Sequence, residues 1–476
     1  MTSEATPVPE KVRTTVILEA TAEATPALDL SDIQSSVLRP RPTPYAATFI
    51  VLRIDERGAG RAALKRLIPA IASAADPPNP AGDASVSVAI SYHGMQALGV
   101  PQESLDSFSA AFKQGMAARA ADLGDVGESD PAHWEYPCGT SDAHLAIAAL
   151  APDAAHLRQV LEQARQAYQE LPGVTAIYRQ DGGQLPTERE HFGYRDGIGQ
   201  PAIEGSGLPG SNPQERPLKA GEFILGYRDE SGAHPPMPQP DVLGRNGSYV
   251  AFRKLHQNVA AFRRYLAAHA TSAAEEEWVA AKMVGRWRSG APLALCPEHD
   301  DPEVGANPTR RNDFLYYDAD PQGLKTPLGS HIRRMNPRDH FKDELVQVQR
   351  HRLIRRGTSY GPLLPEGVLE DDGADRGIYF IFIGADLERQ FEFVQSEWVS
   401  QGIFIGAPDE KDPISGPNDG TGRFTIPKQP IRQRLHGLPR FVTNRGGEYF
   451  FLPGLRALRW LADGEYGAEG SGGVEQ

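Results

Sequence analysis

The order in which strand-like and helix-like segments follow one another constrains the fold of this chain more than any other feature. In the first half, "AATFIVLRI" at 46–54 reads as an apolar, β-branched strand, and "AALKRLIPAIASA" at 62–74 as an amphipathic helix interrupted by Pro69. "SVSVAI" at 85–90 alternates with period two, a polar-faced helical stretch covers 105–120, and "HLAIAAL" at 144–150 is a third strand. "AHLRQVLEQARQAY" at 155–168 places Leu157, Val160, Leu161, Ala164 and Tyr168 on one helical face, and "VTAIYRQ" at 174–180 closes the set as a strand. Stripped of insertions, the order is β-α-β-β-α-β, a ferredoxin-like split unit.

The second half repeats the order without recognisable sequence similarity. "SYVAFRKL" (248–255) is a strand and "NVAAFRRYLAAHA" (258–270) a helix with Val259, Phe262 and Leu266 on one face. "HRLIRRGTSYG" (351–361) and "GIYFIFIG" (377–384) are strands, "ADLERQFEFVQSEW" (385–398) a helix and "EYFFLPG" (448–454) a last strand. The expected fold is α+β: two ferredoxin-like domains whose antiparallel sheets pack as a sandwich or barrel, with helices outside. The expected divisions are a flexible arm at 1–29, an N-terminal domain at 30–220, a C-terminal domain at 221–464 and a Gly-rich acidic tail at 465–476. The long insertions at 205–245 and 287–330 are expected to serve as walls or lids.

Charge and cysteine content narrow the function. The 476 residues carry 49 basic against 62 acidic side chains, a net charge of −13, which argues against nucleic acid and against an anionic membrane surface as partners. No apolar run approaches the roughly 18 residues of a membrane span. Cys138 and Cys296 alone cannot build a disulfide framework or a cysteine-based metal site, and such usage fits a reducing cytoplasm. The N-terminal stretch has no apolar core of signal-peptide length, so a cytoplasmic location is expected.

The stretch "HFGYRDGIGQP" (191–201) sets Arg195 and Asp196 among Gly193, Gly197 and Gly199. Ordinary turn chemistry accounts for such a run. The functional reading is a backbone that lies close to something bulky and flat, with Asp196 projecting into a cavity. In "GSHIRRMNPRD" (329–339), His331 is followed by Arg333, Arg334 and Arg338. This is a solvated basic loop, or an axial nitrogen ligand for haem with cations for its propionates. Arg355 and Arg356 in "RLIRRGTSYG" (352–361) lie on a strand, so only one of the two can enter a given cavity. Phe380 and Phe382, two apart on one strand, share a face; they pack a core or roof a cofactor.

"GYRDG" matches the G-x-x-D-G signature of dye-decolourising peroxidases, "HIRRMNPRD" is similar to the segment bearing that family's proximal histidine, and "RRGTSYG" resembles its distal-arginine segment. Further stretches agree in order, among them "GEFILGY", "GSYVAFRKL", "MVGRW" and "GGEYFFLPGL", so the resemblance runs from about residue 30 to 462. It implies two ferredoxin-like domains with haem b in the second. It places Asp196, flanked by Arg195 and Gly197, on the distal side, and His331 as the proximal iron ligand. Arg355 becomes the distal arginine with Arg356 as fallback, and Phe380 and Phe382 fall on the strand lining the distal pocket. Glu388 and Glu392, one helical turn apart, are the candidates for a carboxylate behind His331.

The implied function is peroxidase action: hydrogen peroxide reduced, and dyes, phenols or another small organic electron donor oxidised. The alternatives are haem storage, transfer or iron release on the same fold, or a cofactor-free scaffold. A homo-oligomer is compatible with either. Trp398, Tyr449 and Trp460 are candidates for carrying a surface radical to bulky donors. A carboxylate base implies a dye-oxidation optimum on the order of pH 4–5, below that of a distal histidine with pKa about 6.5.

Overall fold

The structure, a computed structural model, describes residues 27–76, 84–339 and 347–466. Most of the expected arm and tail therefore lies outside the described residues. Eleven strands are present among them: β1 (Ala46–Ile54), β2 (Ser85–Ile90), β3 (Leu145–Ala151), β4 (Val174–Gly183), β5 (Ser248–Gln257), β6 (Ile354–Arg355), β7 (Thr358–Tyr360), β8 (Gly377–Gly384), β9 (Gly422–Ile426), β10 (Gln433–Leu438) and β11 (Val442–Leu452). Nine form one sheet in the order β5-β11-β2-β3-β1-β4-β7-β8-β6, and β5 also pairs with β8. The sheet thus closes on itself. Both β6 and β7 pair with β8, so the barrel has eight strand positions.

Both halves contribute to this barrel. Strands β1 to β4 follow the expected order, with antiparallel pairs such as Ile50↔Ile147 and Ile50↔Arg179. The junctions between the halves are narrow: Phe451↔Ile90 joins β11 to β2, and Gly183↔Ser359 joins β4 to β7. Closure elsewhere is extensive, from Tyr249↔Gly384 to His256↔Gly377 along β5 and β8.

The period-two pattern of β3 shows how the faces divide. Leu145, Ile147 and Ala149 are buried under the outer helices, whereas Ala146, Ala148 and Leu150 face inward and are only half-buried. On the outer face, Leu52, Val88 and Leu145 pack with Leu64 of the helix Arg57–Leu67 and Leu458 of the helix Leu455–Asp463. Each such fully buried leucine contributes roughly 1.5–3 kcal/mol. Inside the barrel, Phe252 and Tyr379 stack with centroids 5.1 Å apart, and Phe49 lies 5.5 Å from Tyr379.

Local departures from the sequence reading have local causes. The strand at 351–361 is split between β6 and β7 where Arg356 and Gly357 interrupt the ladder, although Arg356 N still donates to Ile381 O at 2.8 Å. The helix at 385–398 is wound as π-helical turns, Leu387–Glu392 and Val394–Val399. The stretch at 105–120 is broken into short turns, with Gly115 at φ 76° ending one of them. Elements beyond the sequence reading include the helix Ala273–Val284, the β9–β10 hairpin, and the helix Leu455–Asp463. Among the described residues no helix is long and apolar enough to cross a membrane.

Candidate active site

A cavity outside the barrel is bounded by β8 and gathers residues from both halves. Asp196, Arg195, Gly197, His331, Arg355 and Phe380 all line it. The insertion at 287–330 supplies part of the wall through Asn312, Phe314 and Tyr316; the insertion at 205–245 does not reach it.

The loop carrying Asp196 is pinned from behind by buried Glu190. Its carboxylate accepts from the amides of Phe192 and Tyr194 at 2.9 and 2.8 Å, and from Gln257 Nε2 at 2.6 Å. Burial nevertheless pushes the Glu190 carboxyl up. Gly197 adopts φ 77°, a conformation that favours glycine, and a Cβ there would lie 2.6 Å from Arg41 Nη2, so a side chain would also displace that guanidinium. Gly199 has open space around it, and its place in the loop does not demand glycine. Gln200 ties the loop to β6: its Nε2 donates to Arg355 O at 2.9 Å, and its Oε1 accepts from Arg355 N at 3.2 Å. The result places Arg355 Nη1 3.6 Å from Asp196 Oδ1. On the other side of the carboxylate, Arg41 Nη2 is 3.7 Å from Oδ2.

Strand alternation separates the two adjacent arginines. Arg355 and Gly357 line this cavity, while Arg356 lines a different one inside the barrel. Along β8 the same alternation sends Ile378 and Phe380 into the site. Phe382, on the same face, lies beyond the cavity, fully buried against Phe391 with centroids 5.9 Å apart.

His331 opens the short helix His331–Met335. Its Nδ1 lies 3.0 Å from Asp412 Oδ2, and no hydrogen-bond partner meets its Nε2 among the described residues. Asp412 is fully buried, and its Oδ1 accepts from the amides of Ile414 and Ser415 at 2.9 and 2.8 Å. Burial works to raise this carboxyl, but His331, Arg334 and the Ser415 amide together hold it below the usual range. An ionised carboxylate only accepts, so Nδ1 carries a proton, and in the neutral ring Nε2 presents the lone pair.

Asp412 corrects the expectation of Glu388 or Glu392 behind the histidine. Glu392 is instead paired with Arg119 and accepts from the Tyr449 hydroxyl at 2.7 Å, and Glu388 is half-exposed, 3.8 Å from Arg119. Arg333 and Arg334 also do not line the cavity. Arg333 Nη1 reaches Asp320 at 3.1 Å and Thr326 O at 2.8 Å; Arg334 donates to the carbonyls of Gly329, Trp398, Gln401 and Glu410. Arg333, two residues along the helix from His331, leaves on another face, and Arg334, about one turn on, is drawn away by its four carbonyl partners. Arg338 lines the cavity in their place, its guanidinium 3.7 Å over the Phe314 ring and bonded to the carbonyls of Asn312 and Phe314. Trp398 and Tyr449 are buried, which removes them as surface sites; Trp460 is half-buried.

The donor set fits a haem. Among the described residues one imidazole nitrogen is unspent and Arg195 Nε is buried without a partner, and Arg195, Arg286, Arg338, Arg352 and Arg355 supply positive charge for an anionic group. Asp412 escaped the sequence reading because it is 81 residues from His331 and reads as a turn-capping aspartate, a role it also fills. Only the pairing of distant residues could have signalled it.

Residues 32–184 match the family model described as the DyP dimeric alpha+beta barrel domain. Peroxidase 2 of Mycetinis scorodonius is 30% identical, over 92% of this chain and 89% of its own length. The multifunctional dye peroxidase of an Amycolatopsis species is 32% identical, over 80% and 82%. A solved dye-decolourising peroxidase in complex with 2,6-dimethoxyphenol superposes with a TM-score of 0.80 at 28% identity, covering 91% of this chain and all of that one. With the barrel, the cavity and these relatives agreeing over most of its length, the chain belongs to the dye-decolourising peroxidase family and is a peroxidase of that family.

Proposed function

We propose that this chain is a haem b peroxidase that reduces hydrogen peroxide and oxidises phenols, dyes or similar small organic donors. The observation that carries the reading is one cavity lined by Asp196, Arg355 and His331, with Asp412 buried behind the histidine. His331 Nε2 would hold the iron, while Arg195, Arg338 and Arg352 would face the propionates. Haem, when bound, supplies the redox-active iron that accepts oxidising equivalents from peroxide and passes them to the donor.

The protein's part is proton handling and charge. Asp196 accepts a proton from one peroxide oxygen and delivers it to the other, so that the latter leaves as water. Arg355 stabilises negative charge building on the departing oxygen, and Gln200 fixes that arginine's backbone against the Asp196 loop. Asp412 holds the His331 ring in one orientation and one tautomer, and makes it the stronger electron donor. Phe380 narrows the cavity beside the pair. We keep the division into domains at 30–220 and 221–464, with the site between contributions from both, and a cytoplasmic location supported by the two free thiols.

Haem storage or iron release has no observation of its own here, since neither needs an aspartate–arginine pair aimed into the cavity. The test is peroxide-dependent oxidation of a dimethoxyphenol and an anthraquinone dye by the haem-loaded protein. Turnover lost in Asp196→Asn with haem retained supports the reading. Undiminished turnover in both Asp196→Asn and Arg355→Leu refutes the assignment of the pair.

A further inference from the structure

A second cavity, of about 370 Å³, lies inside the barrel on the opposite side of β8 from the haem site. An eight-position barrel has an interior that side chains can fill, or that can hold one small ligand. Here part of it is hollow for a reason visible in the sequence. The inward positions of β2 and β3 carry Ser87, Ala89, Ala146 and Ala148, which are too small to meet Val250 and Ile383 across the interior. The volume lies within the roughly 300–1,000 Å³ usual for small-molecule sites.

One end is cationic. Arg39, Arg41 and Arg356 line it. Arg356 donates to the carbonyls of Ser36, Val37 and its neighbour Arg355 at 3.0, 2.9 and 3.4 Å. Arg39 donates to Ala74 O at 3.2 Å. Neither has a carboxylate within 4.0 Å among the described residues. Among the same residues Arg41 has only Asp196 as a carboxylate partner, at 3.7 Å, and that carboxylate is shared with Arg355. Burial, with the charge of Arg41, pushes the Arg356 guanidinium down to about 9, the mark of a cation short of counter-charge. Within the cavity, Ser87 Oγ is buried and has no hydrogen-bond partner among the described residues.

We propose that the barrel interior binds a medium-chain monocarboxylate, its carboxylate at the Arg356 and Arg39 end and its alkyl chain among Phe49, Val250, Phe252 and Ile383. An anion answers the unpaired guanidinium groups, and an apolar chain answers the alanine-lined hollow. A compact inorganic anion would leave that hollow unfilled, and an uncharged hydrocarbon would leave Arg356 without counter-charge.

The experiment is calorimetric titration of the haem-loaded full chain with hexanoate, octanoate and decanoate, followed in parallel by haem absorption. One site is expected, with affinity rising about three- to fourfold per methylene until the cavity is full. Decanol should bind at least tenfold more weakly than decanoate, and Arg356→Met should bring decanoate to the level of decanol. Ala148→Leu fills the hollow from within. It should weaken decanoate at least tenfold while leaving haem absorption and peroxide turnover unchanged. No binding of decanoate, equal binding by Ala148→Leu, or a haem absorption shift that tracks saturation would each overturn the proposal. Failure of decanoate to bind leaves the peroxidase reading standing, because that reading rests on Asp196, Arg355 and His331 and not on this cavity.

Discussion

Nδ1 of His331 stands 3.0 Å from Oδ2 of Asp412, a carboxylate closed to solvent whose other oxygen is held by two backbone amides. The pair joins residues 81 positions apart and leaves one imidazole nitrogen directed by the other. Asp412→Asn keeps the shape but removes the anionic acceptor. Outer partners of ligating histidines commonly contribute 10–100-fold to metal affinity or activity. Haem affinity or peroxide turnover is expected to fall by about tenfold or more in Asp412→Asn. Haem titration of the apoprotein and steady-state turnover check it; parity with wild type in both removes Asp412 from the site.

The contact between Arg355 and Asp196 is expected to be asymmetric in its pH signature. Asp196→Asn removes the proton carrier, so the rate of peroxide consumption should fall and lose its dependence on acid. Arg355→Leu removes charge stabilisation, so the rate should fall while the shape of the pH profile is retained. Removing one preorganised charge or donor of this kind costs on the order of 10²–10³ in rate. Stopped-flow peroxide consumption between pH 3 and 8 separates the two.

Gly357 offers a test of Asp196 that alters neither charge. A Cβ at Gly357 would sit 3.0 Å from Asp196 Oδ2, closer than side chains tolerate without moving. Gly357→Ala should therefore displace the carboxylate by a few tenths of an ångström. A several-fold loss of peroxide rate is expected, with thermal stability within about 1 kcal/mol of wild type because the neighbour that yields is a side chain. An unchanged rate would mean the carboxylate position is not critical to within that distance.

Glu448 on β11 predicts a pH dependence of stability unrelated to the site. Burial pushes its carboxyl up to about 7, despite a 2.8 Å hydrogen bond from the Tyr449 amide. A carboxyl raised in the folded state contributes stability that is fully present below its unfolded value of about 4.5 and lost as pH rises through about 7. The loss between those limits is about 3 kcal/mol. Glu448→Gln has no such titration. Its stability relative to wild type should increase between pH 5 and 8, read as the difference in denaturant midpoint. A constant difference across that range would contradict the shift.

The order of elements was legible because hydrophobic periodicity is local. Strand β8 begins and ends where the apolar run "GIYFIFIG" does, and β1 and β2 likewise. The choice of barrel over sandwich was not, because the halves are joined only through the single-residue contacts Gly183↔Ser359 and Phe451↔Ile90 among the described strands. The site divides the same way. Asp196, His331 and Arg355 are marked by their own neighbours in sequence, and the structure brings all three to one cavity. Arg333 and Arg334 carry the same local mark, yet the helix turns them toward Asp320 and a set of carbonyls. Asp412 carries no mark at all, since its partner is 81 residues away.

The alternation of Arg355 and Arg356 across a shared wall has a consequence for how this chain can change length. Their two chambers are separated by one layer of backbone, with Arg355 opposite Phe382 and Arg356 bonded to Ile381 O. Inserting or deleting a single residue between Ile354 and Gly357 would reverse the faces and send each guanidinium into the wrong chamber. Substitutions on this strand can tune one chamber at a time, but a one-residue indel would corrupt both together. Loops elsewhere can lengthen; this segment is a fixed-length part.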